Sequence, residues 1–330
     1  MLPKQNVLVT GGAGFIGSNL VERLLMLPNV GKVRVLDNLS TGFRDNFQEF
    51  LVNPNFEFVE GDIRDYDTCL AACRDIDLIS HQAALGSVPR SIADPLTTNA
   101  VNITGTLNVF TAAKNAGIKR IVYAASSSTY GDSAALPKVE NSIGNPLSPY
   151  AVTKLVNELY ARVYADLYGV KFVGLRYFNV FGPKQSPTGQ YAAVVPIFVN
   201  ALLDHRQPTI NGDGTRSRDF TFVENAVEAN VLALFTDNDA ALNEVYNVAC
   251  GEQTTLNKMF EILKSAAASD IEPIHGQPRM GDIPHSWADV SKAENLLGYV
   301  PKVLVEEGLK RTFDWYKNQL KINPDTSGRN

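Results

Sequence analysis

Cysteine is scarce in this 330-residue chain, which has only Cys69, Cys73 and Cys250. An odd, sparse set without paired ligand spacing excludes a disulfide scaffold, offers no metal site and points to buried thiols in a reducing compartment. His81, His205, His275 and His285 are too dispersed to form a catalytic or metal-binding group and read as structural or exposed. No run approaches the ~18 apolar residues of a membrane span, and the amino terminus enters a strand within a few residues, without a charged leader or apolar signal segment. A soluble, cytoplasmic protein is expected. Basic residues are not in excess: 30 Lys and Arg against 35 Asp and Glu leave a net charge of −5. Without a long basic run, neither nucleic acid nor an anionic membrane is the expected partner, and a phosphorylated ligand would need a local basic site. Internal repeats and low-complexity segments are absent. Only the tail, 323–330, rich in Pro, Asp, Ser and Gly, reads as flexible.

What is present is a chain 45% hydrophobic, long enough to bury a sizeable core. Strand-like runs occur at Asn6–Thr10, Val33–Leu36, Phe56–Val59, Asp77–Ile79, Arg120–Tyr123 and Lys171–Leu175, with amphipathic helices between them. Such alternation predicts an α/β fold with a doubly wound parallel sheet, whose ligands gather at the carboxyl ends of the strands. Beyond Pro183 the alternation weakens and prolines punctuate shorter elements. A smaller carboxyl-terminal α/β lobe over 183–322 is expected beside a main domain over 1–182, with interleaving of segments allowed.

The first strand runs into Gly11-Gly12-Ala13-Gly14-Phe15-Ile16-Gly17 and then an apolar-periodic helix through Leu20, Leu24 and Leu25. Gly11 permits a tight turn, Gly14 lets a pyrophosphate approach the helix N-terminus, and Gly17 permits close packing. The second strand ends at Asp37, twenty residues after Gly17, where a carboxylate accepts hydrogen bonds from an adenosine ribose and repels a 2′-phosphate. NAD is therefore expected over NADP.

A second group combines Ser126-Ser127-Ser128 with Tyr150 and Lys154, four residues apart and on one face if they share a helix. A free phenol is a poor base at neutral pH, but a nearby ammonium favours phenolate and makes Tyr150 an acid/base. The plainer reading is a packed tyrosine and a solvated lysine.

Together these residues resemble the extended short-chain dehydrogenase/reductases, Rossmann-fold enzymes, and among them the UDP-hexose 4-epimerases, over Val7 to about Trp315. The resemblance is strongest to members that accept UDP-N-acetylglucosamine. It implies catalysis by Tyr150, Lys154 and Ser126, with NAD contacted further by Phe15, Ile16, Asn38, Asp62, Ile63, Gln82, Ala83, Ala84, Asn99 and Tyr177. Asp62 also fits a strand-end turn cap. It implies a UDP-sugar held by Gly86, Ser87, Arg90, Ser126, Ser127, Ser128, Asn179, Val195, Asn211, Arg218, Arg279, Asp282 and Ser286. The two arginines suit a diphosphate, whose oxygens a guanidinium pairs two at a time; each alone also reads as a surface ion pair. Ser286 stands where epimerases restricted to plain hexoses carry a bulky residue, and leaves room for an N-acetyl group. A homodimer through a four-helix bundle, built from helices around 96–116 and 150–168, is also implied.

Sugar-nucleotide 4,6-dehydratases and decarboxylases begin with the same oxidation. The former place an Asp-Glu pair after the catalytic hydroxyl and the latter a glutamate, where this chain has Ser127 and Ser128. A catalytically silent NAD sensor is the alternative from another class, and retention of Tyr150 with Lys154 speaks against it.

Overall fold

The computed structural model describes residues 4–187, 193–277 and 284–322. Six strands fall where the apolar runs predict them: β1 (Gln5–Thr10), β2 (Val30–Asp37), β3 (Phe56–Glu60), β4 (Leu78–His81), β5 (Arg120–Ser126) and β6 (Lys171–Tyr177). A seventh, Glu244–Val248, pairs with β6, and the parallel sheet runs from it through β6, β5, β4, β1 and β2 to β3. Side-chain alternation explains the two helical layers. Val7 and Val9 of β1 face one hydrophobic cluster and Leu8, between them, faces the other. Winding reverses between β1 and β4, which opens a crevice at their carboxyl ends.

Helix α1 (Phe15–Leu25) starts on the glycine turn. Gly11 has φ 72°, and a β-carbon there would lie 2.6 Å from the Ala83 nitrogen; one on Gly17 would lie 2.1 Å from the Gly11 carbonyl oxygen. No side chain fits at either position without moving backbone.

The helix Pro149–Tyr168 has ordinary start and stop signals. The Ser148 hydroxyl accepts the Ala151 N–H at 3.1 Å, Pro149 takes the first turn, and Gly169 ends the helix in the left-handed region. The helix expected over 96–116 is interrupted. A helix at Pro95–Asn99 passes through a wider π-type turn, Ala100–Gly105, into a helix at Thr106–Asn115. Within that turn Asn102 is drawn into the core, where its amide exchanges hydrogen bonds with the Leu85 backbone at 2.8 and 3.2 Å.

The carboxyl-terminal half divides between two places. Helix Val223–Phe235 and strand Glu244–Val248 return to the main sheet, and one hydrophobic cluster runs from Val7 through Phe198 to Leu309. Short strand pairs stand apart: Thr209–Asn211 with Ile274–Gly276, and Ser217–Arg218 with both Thr254–Thr255 and His285–Ser286. The tail at 323–330 lies outside the described residues, among which no helix is long and apolar enough to cross a membrane.

Gly17→Ala is expected to destabilise the fold by about 1–3 kcal/mol, as overpacking does, and to empty the dinucleotide cleft. Thermal unfolding and the NAD content of the purified variant check both effects.

Candidate active site

A cleft of about 570 Å³ opens at the switch point. Gly11, Gly14, Phe15, Ile16, Gly17, Asp37, Asn38, Asp62, Ile63, Gln82, Ala83 and Ala84 line one stretch of it, and Gly86, Ser126, Ser127, Ser128, Tyr150, Lys154, Tyr177 and Asn179 the other. A ligand of dinucleotide shape fits the first stretch on the chain's own terms. A β-carbon on Gly14 would meet only the Gly11 oxygen, at 3.2 Å, so the helix N-terminus stays open to a phosphate.

Asp37 is buried at the end of β2. Its carboxylate accepts the Ala13 N–H at 3.0 Å and the Leu39 N–H at 2.8 Å. Burial raises its pKa and these two donors work against the rise. Asp62 lines the cleft and also caps its own turn by accepting the Arg64 N–H at 2.8 Å. The Arg64 side chain holds its pKa down to about 2, and Asn38 donates to it at 2.8 Å. Gln82 is held between the Tyr177 hydroxyl at 3.1 Å and Asn230 at 2.9 Å.

The chemical end rests on β5 and the helix Pro149–Tyr168. Ser126 Oγ accepts the Ser128 N–H at 3.1 Å and the Ser128 hydroxyl at 2.9 Å. Lys154 is buried, with Nζ donating to the Ala124 carbonyl at 2.7 Å and lying 5.9 Å from the centre of the Tyr150 ring. Burial pulls its pKa down to about 8, against an upward pull from Glu158 one turn along. Glu158 in turn is gripped by Arg176 through two hydrogen bonds, at 2.9 and 2.7 Å. In the protein alone the phenol is not shifted toward neutrality. Burial raises the Tyr150 pKa, and the opposing pull comes from a hydrogen bond with Ser126. In the protein alone, desolvation outweighs the ammonium, whose Nζ is engaged by Ala124.

Several expected site residues are not among those lining the cleft. Asn99 is exposed and off the cleft lining, while Asn102, inside the π-type turn, is buried and accepts the Leu85 N–H. Val195 is buried in the hydrophobic core. Asn211 is exposed at the end of its short strand. Ser87 is off the cleft wall and caps the helix Val88–Ala93 by accepting the Arg90 N–H at 3.3 Å, and Arg90 is likewise off the wall. Arg218 and Ser286 are register partners on adjacent strands outside the cleft lining, while Arg279 and Asp282 lie outside the described residues. His81 is structural: it is buried between Thr10 at 2.6 Å and Thr106 at 2.9 Å, and burial lowers its pKa to about 3. Among the described residues no cluster of three or more His, Cys, Asp and Glu could hold a metal ion.

The structure adds cleft residues that sequence reasoning missed: Ser40, Thr41, Phe43 and Asn46 after β2, and Lys184, Gln185 and Ser186 after β6. Gly42 was the available signal. A β-carbon there would strike the Ala13 backbone at 2.7 Å, so the turn after β2 must close against the glycine loop.

A dinucleotide cleft at the switch point, with serine, tyrosine and lysine at its chemical end, defines an extended short-chain dehydrogenase/reductase. The NAD dependent epimerase/dehydratase family matches residues 7–249, and the chain belongs to it, with NAD as its cofactor. It is 39% identical over 314 residues to the UDP-glucose 4-epimerase of Mycolicibacterium smegmatis, covering 94% of this chain and 98% of that one. The solved UDP-N-acetylglucosamine 4-epimerase of Methanobrevibacter ruminantium, in complex with UDP-N-acetylmuramic acid, superposes with a TM-score of 0.89 at 40% identity and covers 96% of this chain and 100% of its own. The UDP-glucuronic acid 4-epimerase of Bacillus cereus, solved with UDP-glucuronic acid and NAD, gives 0.88 at 32% identity over 95% of this chain and 99% of that one.

Tyr150→Phe is expected to keep NAD and the fold while turnover falls about 10²–10⁴-fold, the usual worth of a positioned acid/base. Lys154→Ala is expected to be slow and to move the activity profile to higher pH, since the ammonium favouring phenolate is gone. Steady-state rates across pH check both, and an unmoved profile removes Lys154 from the ionisation of Tyr150.

Proposed function

We propose that this chain, an NAD-dependent UDP-sugar 4-epimerase by family and site, interconverts UDP-N-acetylglucosamine and UDP-N-acetylgalactosamine through a transient 4-keto sugar. NAD, when bound, supplies a reversible hydride acceptor and a further positive charge. The chain's own part is proton handling and orientation. Tyr150 Oη takes the proton of the sugar 4-hydroxyl, Ser126 hydrogen-bonds the same oxygen, and Lys154 holds the charge that favours phenolate. Tyr150 then returns the proton after the sugar has presented its opposite face, with UDP anchoring the turn.

The observation that carries the reaction is the serine run beside Tyr150. Elimination at the sugar's 6-position needs an acid next to the catalytic hydroxyl, and Ser127 and Ser128 line the cleft there instead. For the N-acetylated substrate the support is room. Gly86 lines the cleft with open space where a β-carbon would stand, and Ser286, outside that lining, is small at the position the family pattern gives to the 2-substituent. The N-acetylated sugar named for the Methanobrevibacter relative favours the same reading. Glucose and glucuronate, named for the other two, are the competing substrates. We assign Arg218 and Arg279 to the diphosphate of the UDP and Asp282 to its ribose on the family pattern.

The functional form is proposed to be a homodimer. On the helix Pro149–Tyr168 the face turned from Tyr150 and Lys154 exposes Val152, Leu159 at 57%, Val163 and Leu167 at 67%, and the neighbouring Leu96 is 82% exposed. An apolar stripe of this kind marks an association surface. Leu159→Glu with Val163→Glu is expected to give a monomer by light scattering, and an unchanged mass would move the interface elsewhere.

Purified protein is expected to carry NAD and to equilibrate the N-acetylated pair, resolved by NMR, without added cofactor. Accumulating NADH would instead mark a net dehydrogenase. Ser286→Tyr is expected to depress the N-acetylated pair by more than the about 1–3 kcal/mol of one altered apolar contact, while UDP-glucose and UDP-galactose survive. Equal losses on both pairs, or none, would withdraw the N-acetyl assignment and leave the epimerase reading intact.

A further inference from the structure

We propose that Lys184 is a clasp joining the two lips of the cofactor cleft, and that it sets how slowly NAD leaves. One lip is the turn after β2, from which Ser40, Thr41, Phe43 and Asn46 line the cleft. It is fixed at its base to the glycine loop, where the Ala13 carbonyl accepts the Phe43 N–H at 3.1 Å and the Asn46 amide at 2.8 Å. The other lip is the strap after β6, which brings Lys184, Gln185 and Ser186 to the same cleft. It is fixed by the Asn19 amide, which donates to the Pro183 carbonyl at 3.1 Å, and by the Tyr316 hydroxyl, which donates to the Gln185 carbonyl.

Lys184 spans the gap between them. Its Nζ donates to Glu22 on α1 at 2.9 Å and to the Asn46 carbonyl at 3.4 Å, lies 3.8 Å from Glu49, and sits 5.0 Å from the centre of the Phe50 ring. Three features separate this from an ordinary surface ion pair. The lysine side chain is only 12% exposed, so its interactions are less screened than those of a solvated pair. Its backbone has φ 68°, a conformation that disfavours a β-carbon and recurs where a site constrains the chain. Its partners lie on α1 and the β2 turn, both remote in sequence from the strap.

The chemistry gives such a clasp a use. An epimerase returns to its substrate what its cofactor accepted, so a dinucleotide that departs between half-reactions strands the 4-keto sugar. Slow release is worth more here than in a dehydrogenase, which must exchange NAD at every turnover. The proposal rests on NAD as resident cofactor and adds which side chain retains it.

The test measures NAD release from the loaded protein, chased with excess of the fluorescent etheno analogue of NAD. Lys184→Met keeps an apolar stem beside Phe50 and removes the charge, and is expected to release NAD about tenfold faster, since interface changes act mostly on dissociation. Glu22→Gln is expected to move release in the same direction by less, and Glu49→Gln, more distant and more exposed, by least. Raised ionic strength is expected to speed release from the wild type more than from Lys184→Met. Release rates of Lys184→Met and Glu22→Gln both within about twofold of the wild type would overturn the clasp while leaving NAD in place. Glu22 is only partly buried on α1, its side chain 40% exposed, so its variant decides the matter if Lys184→Met does not fold. A wild type that binds no NAD would instead overturn the cofactor assignment, and the clasp with it.

Discussion

The close approach of Gly17 to the Gly11 carbonyl is the constraint on which the rest of the site depends. With 2.1 Å between that oxygen and any β-carbon at position 17, α1 begins where it does only because position 17 carries none. The same turn meets Ala83 through Gly11 and Gly42 through Ala13, so three loops at the carboxyl ends of β1, β2 and β4 are mutually indexed by backbone contact. Contacts without side chains cannot adjust by rotamer change, which makes the cleft rigid where a pyrophosphate would approach α1. The more adaptable parts, the turn after β2 and the strap after β6, are then fastened over this base by side chains.

Buried charge is handled in two ways on the helix Pro149–Tyr168. Glu158 and Arg176 neutralise each other through a bidentate pair, a geometry that offsets desolvation. Lys154, one turn away, has a carbonyl as its hydrogen-bond acceptor, and its pKa falls to about 8. An ammonium with so little to lose on deprotonation responds to any new negative charge, and the phenolate of Tyr150 is such a charge. In the protein alone burial pushes the Tyr150 pKa up and the Lys154 pKa down, and each is opposed by a neighbour, Ser126 for the phenol and Glu158 for the ammonium.

Legibility in the sequence followed how local each requirement is. The turn of Gly11, Gly14 and Gly17, the acid at Asp37 and the Tyr150–Lys154 spacing are satisfied within a few residues, and all of them line the cleft. The inner strands were legible because they are buried and their runs are largely apolar, and the edge strand Phe56–Glu60 because Phe56, Phe58 and Val59 are apolar and β-favouring. The seventh, Glu244–Val248, is no shorter than β3 or β4 but lies in the half where the alternation of strand and helix weakens, and its pairing with β6 places it in the sheet. Asn99 and Asn102 are three residues apart in one helical stretch, and which of them turns inward depends on a π-type turn that periodicity does not report. Val195 and Asn211 took their roles from family resemblance, and tertiary packing puts one in the core and leaves the other exposed. Lys184 had no signal at all, since its partners are Glu22, Asn46 and Glu49, more than a hundred residues earlier.

The carboxyl-terminal half reaches order by a different route, through one buried carboxylate. Asp219 accepts the N–H groups of Cys250 at 2.9 Å, Gly251 at 3.0 Å and Ala288 at 3.2 Å, and its own carbonyl accepts the Asn179 amide at 3.0 Å. Burial raises its pKa to about 6, and the three N–H donors oppose the rise. Asn179 lines the cleft, Arg218 precedes Asp219, and Ser286 lies two residues before Ala288 on the strand paired with Arg218. Short strands of two residues have too few ladder bonds to fix one another, so the carboxylate does that work for several segments at once. A glycine lock orders the end of the cleft at α1 and a buried carboxylate the segments around Asp219, which is why the first can be read from spacing and the second only from the folded chain.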